Sequence, residues 1–212
     1  MNCALVTGAS RGLGKAIALQ LAADHKLHIL INYASNKQAA EETLTAIQNA
    51  GGSGELLPFN VQENETVNAA LDNWHKVNED KFISVLVNNA GITRDVLLMW
   101  MPEKDWDDVL NISLKGFYNV TRNVVNPMLR KRAGRIINIV SLSGLKGNAG
   151  QTSGAPSAAA SATSPTCRTG LRTRGSRSTR RGCWCCAPRG AWTRPVLRPR
   201  AATSPASRSS PL

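Results

Sequence analysis

One stretch of the chain has residue types and spacing that could do chemistry without further context: TGASRGLG over residues 7–14. Glycine at Gly8 suits a tight turn, at Gly12 a close approach of backbone to a pyrophosphate, and at Gly14 close packing of a helix on a strand. Amides at the N-terminus of a following helix would bind the anion. Other candidates are weaker. The cluster CWCC (183–186) lacks the spaced ligands of a tetrahedral zinc site, and no histidine lies near it in sequence, so no metal is expected. Asp105 to Asp108 (DWDD) reads as the acidic first turn of a helix, favoured by the dipole, rather than as an acid/base pair. His25, His28 and His75 are scattered and read as surface or helix-packing residues.

The elements that would position the glycine loop follow a β-α alternation. CALVT (3–7), HILINY (28–33), ELLPF (55–59), SVLVN (84–88) and RIINIVS (135–141) are near-continuous apolar runs, as in strands covered on both faces. Helices are predicted over 14–24, over 36–52 after a Ser-Asn cap and up to paired glycines, over 64–77, and over 114–132. Val67, Ala70, Leu71, Trp74 and Val77 fall on one face of the third. Pro127 is a candidate kink in the fourth. Five strands in this alternation predict a doubly wound parallel α/β sheet, Rossmann-like.

Composition divides the chain at residue 152. Of 26 Lys and Arg, eleven lie in 153–212, all arginine and with no acidic group, so residues 1–152 hold fifteen basic against fourteen acidic groups. The net charge of +12 therefore belongs to the tail, and it argues against a basic nucleic-acid-binding front domain. Residues 153–212 also lack Ile, Met, Phe, Tyr, Asn, Gln, His, Lys, Asp and Glu. Such a segment cannot supply a packed core and reads as disordered. The missing types mostly share an A or T at the middle codon position, the trace left when a GC-rich gene is read out of frame. The expectation is a partial dinucleotide-binding domain over 1–152 and an out-of-frame, low-complexity basic tail over 153–212. Cys3 stands alone in the front part, which gives no disulfide framework. No signal peptide or membrane span is read, and a cytoplasmic location is the default.

The spacing G-x-x-x-G-x-G in residues 8–14 resembles the short-chain dehydrogenase/reductase family, and two further motifs agree. VNNAGITRD (87–95) is similar to that family's N-N-A-G motif, and GRIINIVSLSG (134–144) to its fifth strand with the active-site serine. Within the family the match is to bacterial 3-oxoacyl-[acyl-carrier-protein] reductases, over residues 1 to about 152. The resemblance implies strand order 3-2-1-4-5 and a nicotinamide cofactor held by Gly8, Ser10, Arg11, Gly12, Leu13, Gly14, Asn32, Tyr33, Ser35, Asn60, Val61, Asn89, Ala90 and Gly91. Asn60 and Val61 would meet the adenine, Asn89 to Gly91 the ribose and nicotinamide side, and Asn88 would brace the sheet. The second strand ends INYASNK, without the carboxylate that holds an NAD ribose, and Arg11 could meet a 2′-phosphate; NADP(H) is expected.

The resemblance also exposes departures. Ser141 aligns with the family's substrate serine, and Ser143, two residues on, could share its face. The family's tyrosine and lysine fall at 154 and 158, where this chain has Gly154 and Ala158; no Tyr or Lys follows Lys146. Ser113 takes the place of a family asparagine, with Asn111 two residues earlier. The implied activity is NADPH-dependent reduction of 3-oxoacyl groups on an acyl carrier protein, expected to be absent from this chain as written. The alternatives are a non-catalytic nucleotide-binding remnant or a basic tail that binds nucleic acid. No membrane partner is expected, and the family's homo-oligomer interface would be incomplete.

Overall fold

The computed structural model describes residues 1–141; the tail and its predicted boundary at 152 lie outside the described residues. The elements are β1 (Asn2–Val6), α1 (Gly12–His25), β2 (His28–Tyr33), α2 (Lys37–Asn49), β3 (Ser53–Pro58), α3 (Asn64–Val77), β4 (Phe82–Asn88), α4 (Glu103–Leu110), α5 (Gly116–Lys131) and β5 (Arg135–Asn138). All four pairings are parallel, and the order is β3-β2-β1-β4-β5, as expected.

The near-continuous apolar runs follow from burial on both faces. On one side Cys3, Leu5, Leu30 and Leu86 pack with Val67, Leu71 and Trp74 of α3 and Val120, Val124 and Met128 of α5. On the other, Ala4, Val6, Ile29 and Ile31 meet Ala18 and Ala22 of α1 and Ala40 and Ile47 of α2. Alternate residues of β1 and β2 thus serve opposite cores. Burying a large aliphatic side chain contributes roughly 1.5–3 kcal/mol.

Helix ends obey local chemistry. The Asn36 side chain caps α2 by accepting from the Ala39 amide at 3.0 Å. The paired glycines end it, Gly51 at φ +77 and Gly52 donating to the Ile47 carbonyl at 2.9 Å.

Several expectations are corrected. β3 begins at Ser53 rather than 55, because Gly54 lets its backbone lie close on β2: a Cβ there would meet the Ile29 carbonyl oxygen at 2.8 Å. β5 stops at Asn138, although the Ile139 amide still donates to the Asn88 carbonyl at 2.9 Å. Val77, the last residue of α3, is exposed because it lies beyond the core that Trp74 closes. The fourth predicted helix begins earlier, as α4, then passes through a π turn at Asn111–Lys115 into α5, with Pro127 inside. His28 is a buried strand residue, with Nδ1 3.0 Å from Ser53 Oγ and Nε2 3.2 Å from Glu55 Oε1.

Candidate cofactor site

Because every strand runs the same way, the segments that follow them emerge at one edge of the sheet. The direction of winding reverses between β1 and β4, and at such a switch point the loops part to leave a crevice. The glycine loop follows β1 and the Asn89–Gly91 segment follows β4, so the two flank that crevice.

Gly8 has φ +62, and a Cβ there would also lie 3.1 Å from Ala90 Cα. Gly14 packs against the same junction: its added Cβ would meet the Gly8 carbonyl oxygen and, at 2.6 Å, Asn89 Nδ2. Gly12 differs from both. At φ +58 it needs glycine for its backbone, yet nothing lies within 4 Å of an added Cβ. Its open side is where a ligand could approach the main chain. The neighbouring residue Arg11 is the N-cap of α1, and its side chain makes no cap bond. The first-turn amides of α1 receive no bond from the cap side chain and can meet an external acceptor, whereas in α2 the Asn36 side chain takes the Ala39 amide. Arg11 is exposed, and no carboxylate of the described residues pairs with it. Leu13 and Ser35 are exposed, and Ser10 is half-buried. Thr43 of α2 pins this loop by donating to the Ser10 carbonyl at 3.1 Å.

A residue that sequence reasoning passed over holds the crevice together. Thr7 is buried at the end of β1; its hydroxyl donates to the Val87 carbonyl at 3.3 Å and accepts from the amides of Asn89 at 2.9 Å and Ala90 at 3.0 Å. Asn89 answers with Nδ2, which donates to the carbonyls of Thr7 at 3.0 Å and Gly8 at 3.2 Å. The signal was present: a hydroxyl at the last residue before a glycine turn, with no solvent role to fill.

Asn32 is where the structure departs most from expectation. It is 2% exposed; Oδ1 accepts from the Gly8 amide at 3.2 Å, and Nδ2 donates to the carbonyls of Leu57 at 3.2 Å and Phe59 at 3.0 Å. Both donors are spent, so Asn32 braces three strand ends instead of facing a ribose. Tyr33 is likewise buried, among the residues of the α1–α2 core. Asn60 shapes the β3–α3 turn, with Oδ1 accepting from the Gln62 amide at 3.2 Å and Nδ2 donating to Glu63 Oε1 at 2.8 Å; the neighbouring Val61 is buried.

Asn88 braces the sheet as read: Nδ2 donates to Thr121 Oγ1 at 3.1 Å and to Asn138 Oδ1 at 3.0 Å. Ser141 is exposed, three residues past β5, and is the last described residue. Ser143, Gly154 and Ala158 lie outside the described residues, whereas Ser113 and Asn111 sit in the π turn. A π turn inserts one residue per turn and re-aims the side chains around it, a device common at functional sites. DWDD does lie near a helix start, but the acidic first turn of α4 is made by Glu103 and Asp105, and Asp107 and Asp108 fall in the next turn; Asp105 pairs with Arg94 at 3.3 Å. Among the described residues no group of three His, Cys, Asp or Glu could hold a metal, and no helix is long and apolar enough to cross a membrane.

A sequence model of the family described as short chain dehydrogenase matches residues 2–164, through the glycine loop, the Asn89–Gly91 segment and Ser141. The chain belongs to this family. Among its relatives, a 3-oxoacyl-[acyl-carrier-protein] reductase of Staphylococcus epidermidis is 44% identical over 145 residues, covering 68% of this chain and 58% of that protein. A protein of the same name from Synechocystis is 45% identical over 147 residues, with the same coverage. The chain thus spans less than two thirds of the length of these curated relatives. A solved structure from Agrobacterium tumefaciens, described as a candidate gluconate dehydrogenase, superposes with a TM-score of 0.70 at 28% identity; the match covers 74% of this chain and 61% of that one. The family match reaches twelve residues beyond the compositional break at 152.

Proposed function

We propose that residues 1–141 form the cofactor half of an NADPH-dependent reductase of 3-oxoacyl groups carried on an acyl carrier protein, and that this chain as written binds the cofactor without turnover. The observation that carries the reading is the open face of Gly12 beside the uncapped N-terminus of α1. Backbone amides there suit a pyrophosphate, and the exposed Arg11 guanidinium suits a 2′-phosphate better than a neutral ribose hydroxyl. The relatives named for 3-oxoacyl reduction support the substrate class.

Bound NADPH would supply hydride to a carbonyl carbon. Gly8, Ser10, Gly12 and Leu13 would hold its phosphates, Arg11 and Ser35 the adenosine ribose side, Asn60 and Val61 the adenine, and Asn89, Ala90 and Gly91 the nicotinamide side. Asn32 and Thr7 position these groups from within. Ser141 would hold the substrate oxygen. The proton that this oxygen needs has no donor here, because Gly154 and Ala158 replace the tyrosine and lysine of the family pattern. An unassisted tyrosine titrates near ~10, so both partners matter.

The test is a gain of function. The unaltered chain should bind NADPH more tightly than NADH and show no ketone reduction. Replacing residues beyond 152 with the corresponding segment of a curated relative, which restores the tyrosine and lysine, should raise turnover by at least ~10²–10⁴. A folded chimera that binds NADPH yet stays inactive would refute the assignment.

A further inference from the structure

We infer that Asn119 and Gly116 of α5 are positioning residues that seat the β3–α3 turn and, through it, the adenine end of the pocket; the inference rests on the nucleotide-binding reading above. The last sheet bond on this segment is from the Phe59 amide to the Tyr33 carbonyl, at 3.1 Å. Beyond Phe59 the chain leaves the sheet. The bonds within the turn, from Gln62 to Asn60 Oδ1 and from Asn60 Nδ2 to Glu63, set its shape but not its place.

Its place comes from α5. Asn119 is 2% exposed, and its Nδ2 donates to the carbonyls of Val61 at 2.9 Å and Gln62 at 3.2 Å. A carboxamide nitrogen has two N–H donors, and both are used on this one turn. The main-chain carbonyl of Asn119 accepts from Asn123 Nδ2 at 2.8 Å, and the same nitrogen donates to Asn68 Oδ1 of α3 at 2.7 Å. Asn119 therefore ties α5 to the turn, and Asn123 ties it to the helix that follows. One helical turn earlier, Gly116 gives Val61 its seat: an added Cβ would lie 2.8 Å from Val61 Cγ2 and 3.0 Å from its Cβ. One residue pulls the turn in, and the other leaves room for it. Site residues hold their geometry only when such supporting groups are fixed.

The experiment uses the full chain with Asn119→Leu, close in size but without donors. Two probes report on opposite ends of the pocket: adenosine 2′,5′-bisphosphate and nicotinamide mononucleotide, titrated by NMR. Amide hydrogen exchange at Gln62 and Glu63 reports on the turn itself. One buried and one half-buried carbonyl lose their donors, so the adenosine probe should weaken roughly tenfold. Nicotinamide mononucleotide binding should not change. Exchange should quicken at Gln62 and Glu63 and stay unchanged in the first turn of α1. Gly116→Ala keeps every hydrogen-bonding group and should give the same pattern; it decides the matter if Asn119→Leu does not fold. Equal weakening of both probes, or unchanged exchange in the turn, overturns the positioning role while leaving the binding reading intact. An unaltered chain that binds neither probe overturns that reading, and this inference with it.

Discussion

On the flank made by β2 and β3, all six residues of β2 are buried, under α1 and α2 on one side and against α3 on the other. On the opposite flank, β5 alternates exposed with half-buried residues, and Ile137, Ile139 and Val140 are 38–46% exposed. Leu97, Leu98, Met99 and Trp100, in the segment between β4 and α4, are exposed too. On the first flank β2 is fully covered by described elements, and the edge strand β3 is half-buried along most of its length. The second has apolar groups that add little to stability where they stand, because the hydrophobic contribution scales with area removed from water. The glycine loop is braced by the buried Thr7 and Asn32 at the ends of β1 and β2 and by Asn89 after β4, whereas Ser141 follows the partly exposed β5. The proposed cofactor cradle and the proposed substrate serine therefore draw on unequal structural support.

A pair of truncations would break this contrast if it is wrong. Leu30→Ala, from a fully buried position, should cost ~2–5 kcal/mol, whereas Ile137→Ala should cost less than ~1 kcal/mol, both read from denaturant melts. Comparable losses would mean that Ile137 is covered in solution. Gly14→Ala sharpens the braced side, since its methyl would press on the Gly8 carbonyl and on Asn89. A loss of ~1–3 kcal/mol together with weaker NADPH binding is expected, from thermal melts and titration.

The smallest effect lies at the far end of the sheet. Burial alone would raise the Glu55 pKa, but the Trp74 indole at 2.7 Å, Lys81 at 3.3 Å and His28 hold it below its ordinary 4.5. The fold then favours the carboxylate, so the stabilisation is present above 4.5 and is lost as pH falls through the depressed folded value. His75 works in the same direction nearer neutrality, since burial lowers its pKa against the pull of Asp72. Glu55→Gln should flatten the acid limb of a stability–pH curve without moving NADPH affinity. An unchanged limb would show that another carboxylate governs it.

Most of the architecture was legible in the sequence, because buried parallel strands leave uninterrupted apolar runs and helices announce their caps. α3 was read with both boundaries correct, and so was the Asn36 cap. What escaped was of two kinds. The π turn, and with it the continuity from the helix start read at Asp105–Asp108 into α5, was missed because an extra residue in a helix breaks the 3.6-residue period by which helices are found. The inward turn of Asn32 was missed because β2 is buried on both faces, so polarity does not reveal which way its asparagine points. Thr7 looked like part of a loop motif, and only the partners of its hydroxyl disclose its part.

That hydroxyl has one proton and two lone pairs, and the three bonds around Thr7 use all of them. No slack is left at the join. The two walls of the cleft are consequently held as one body, and the proposed nucleotide would meet both already in register. Valine at this position would keep the shape and break the join.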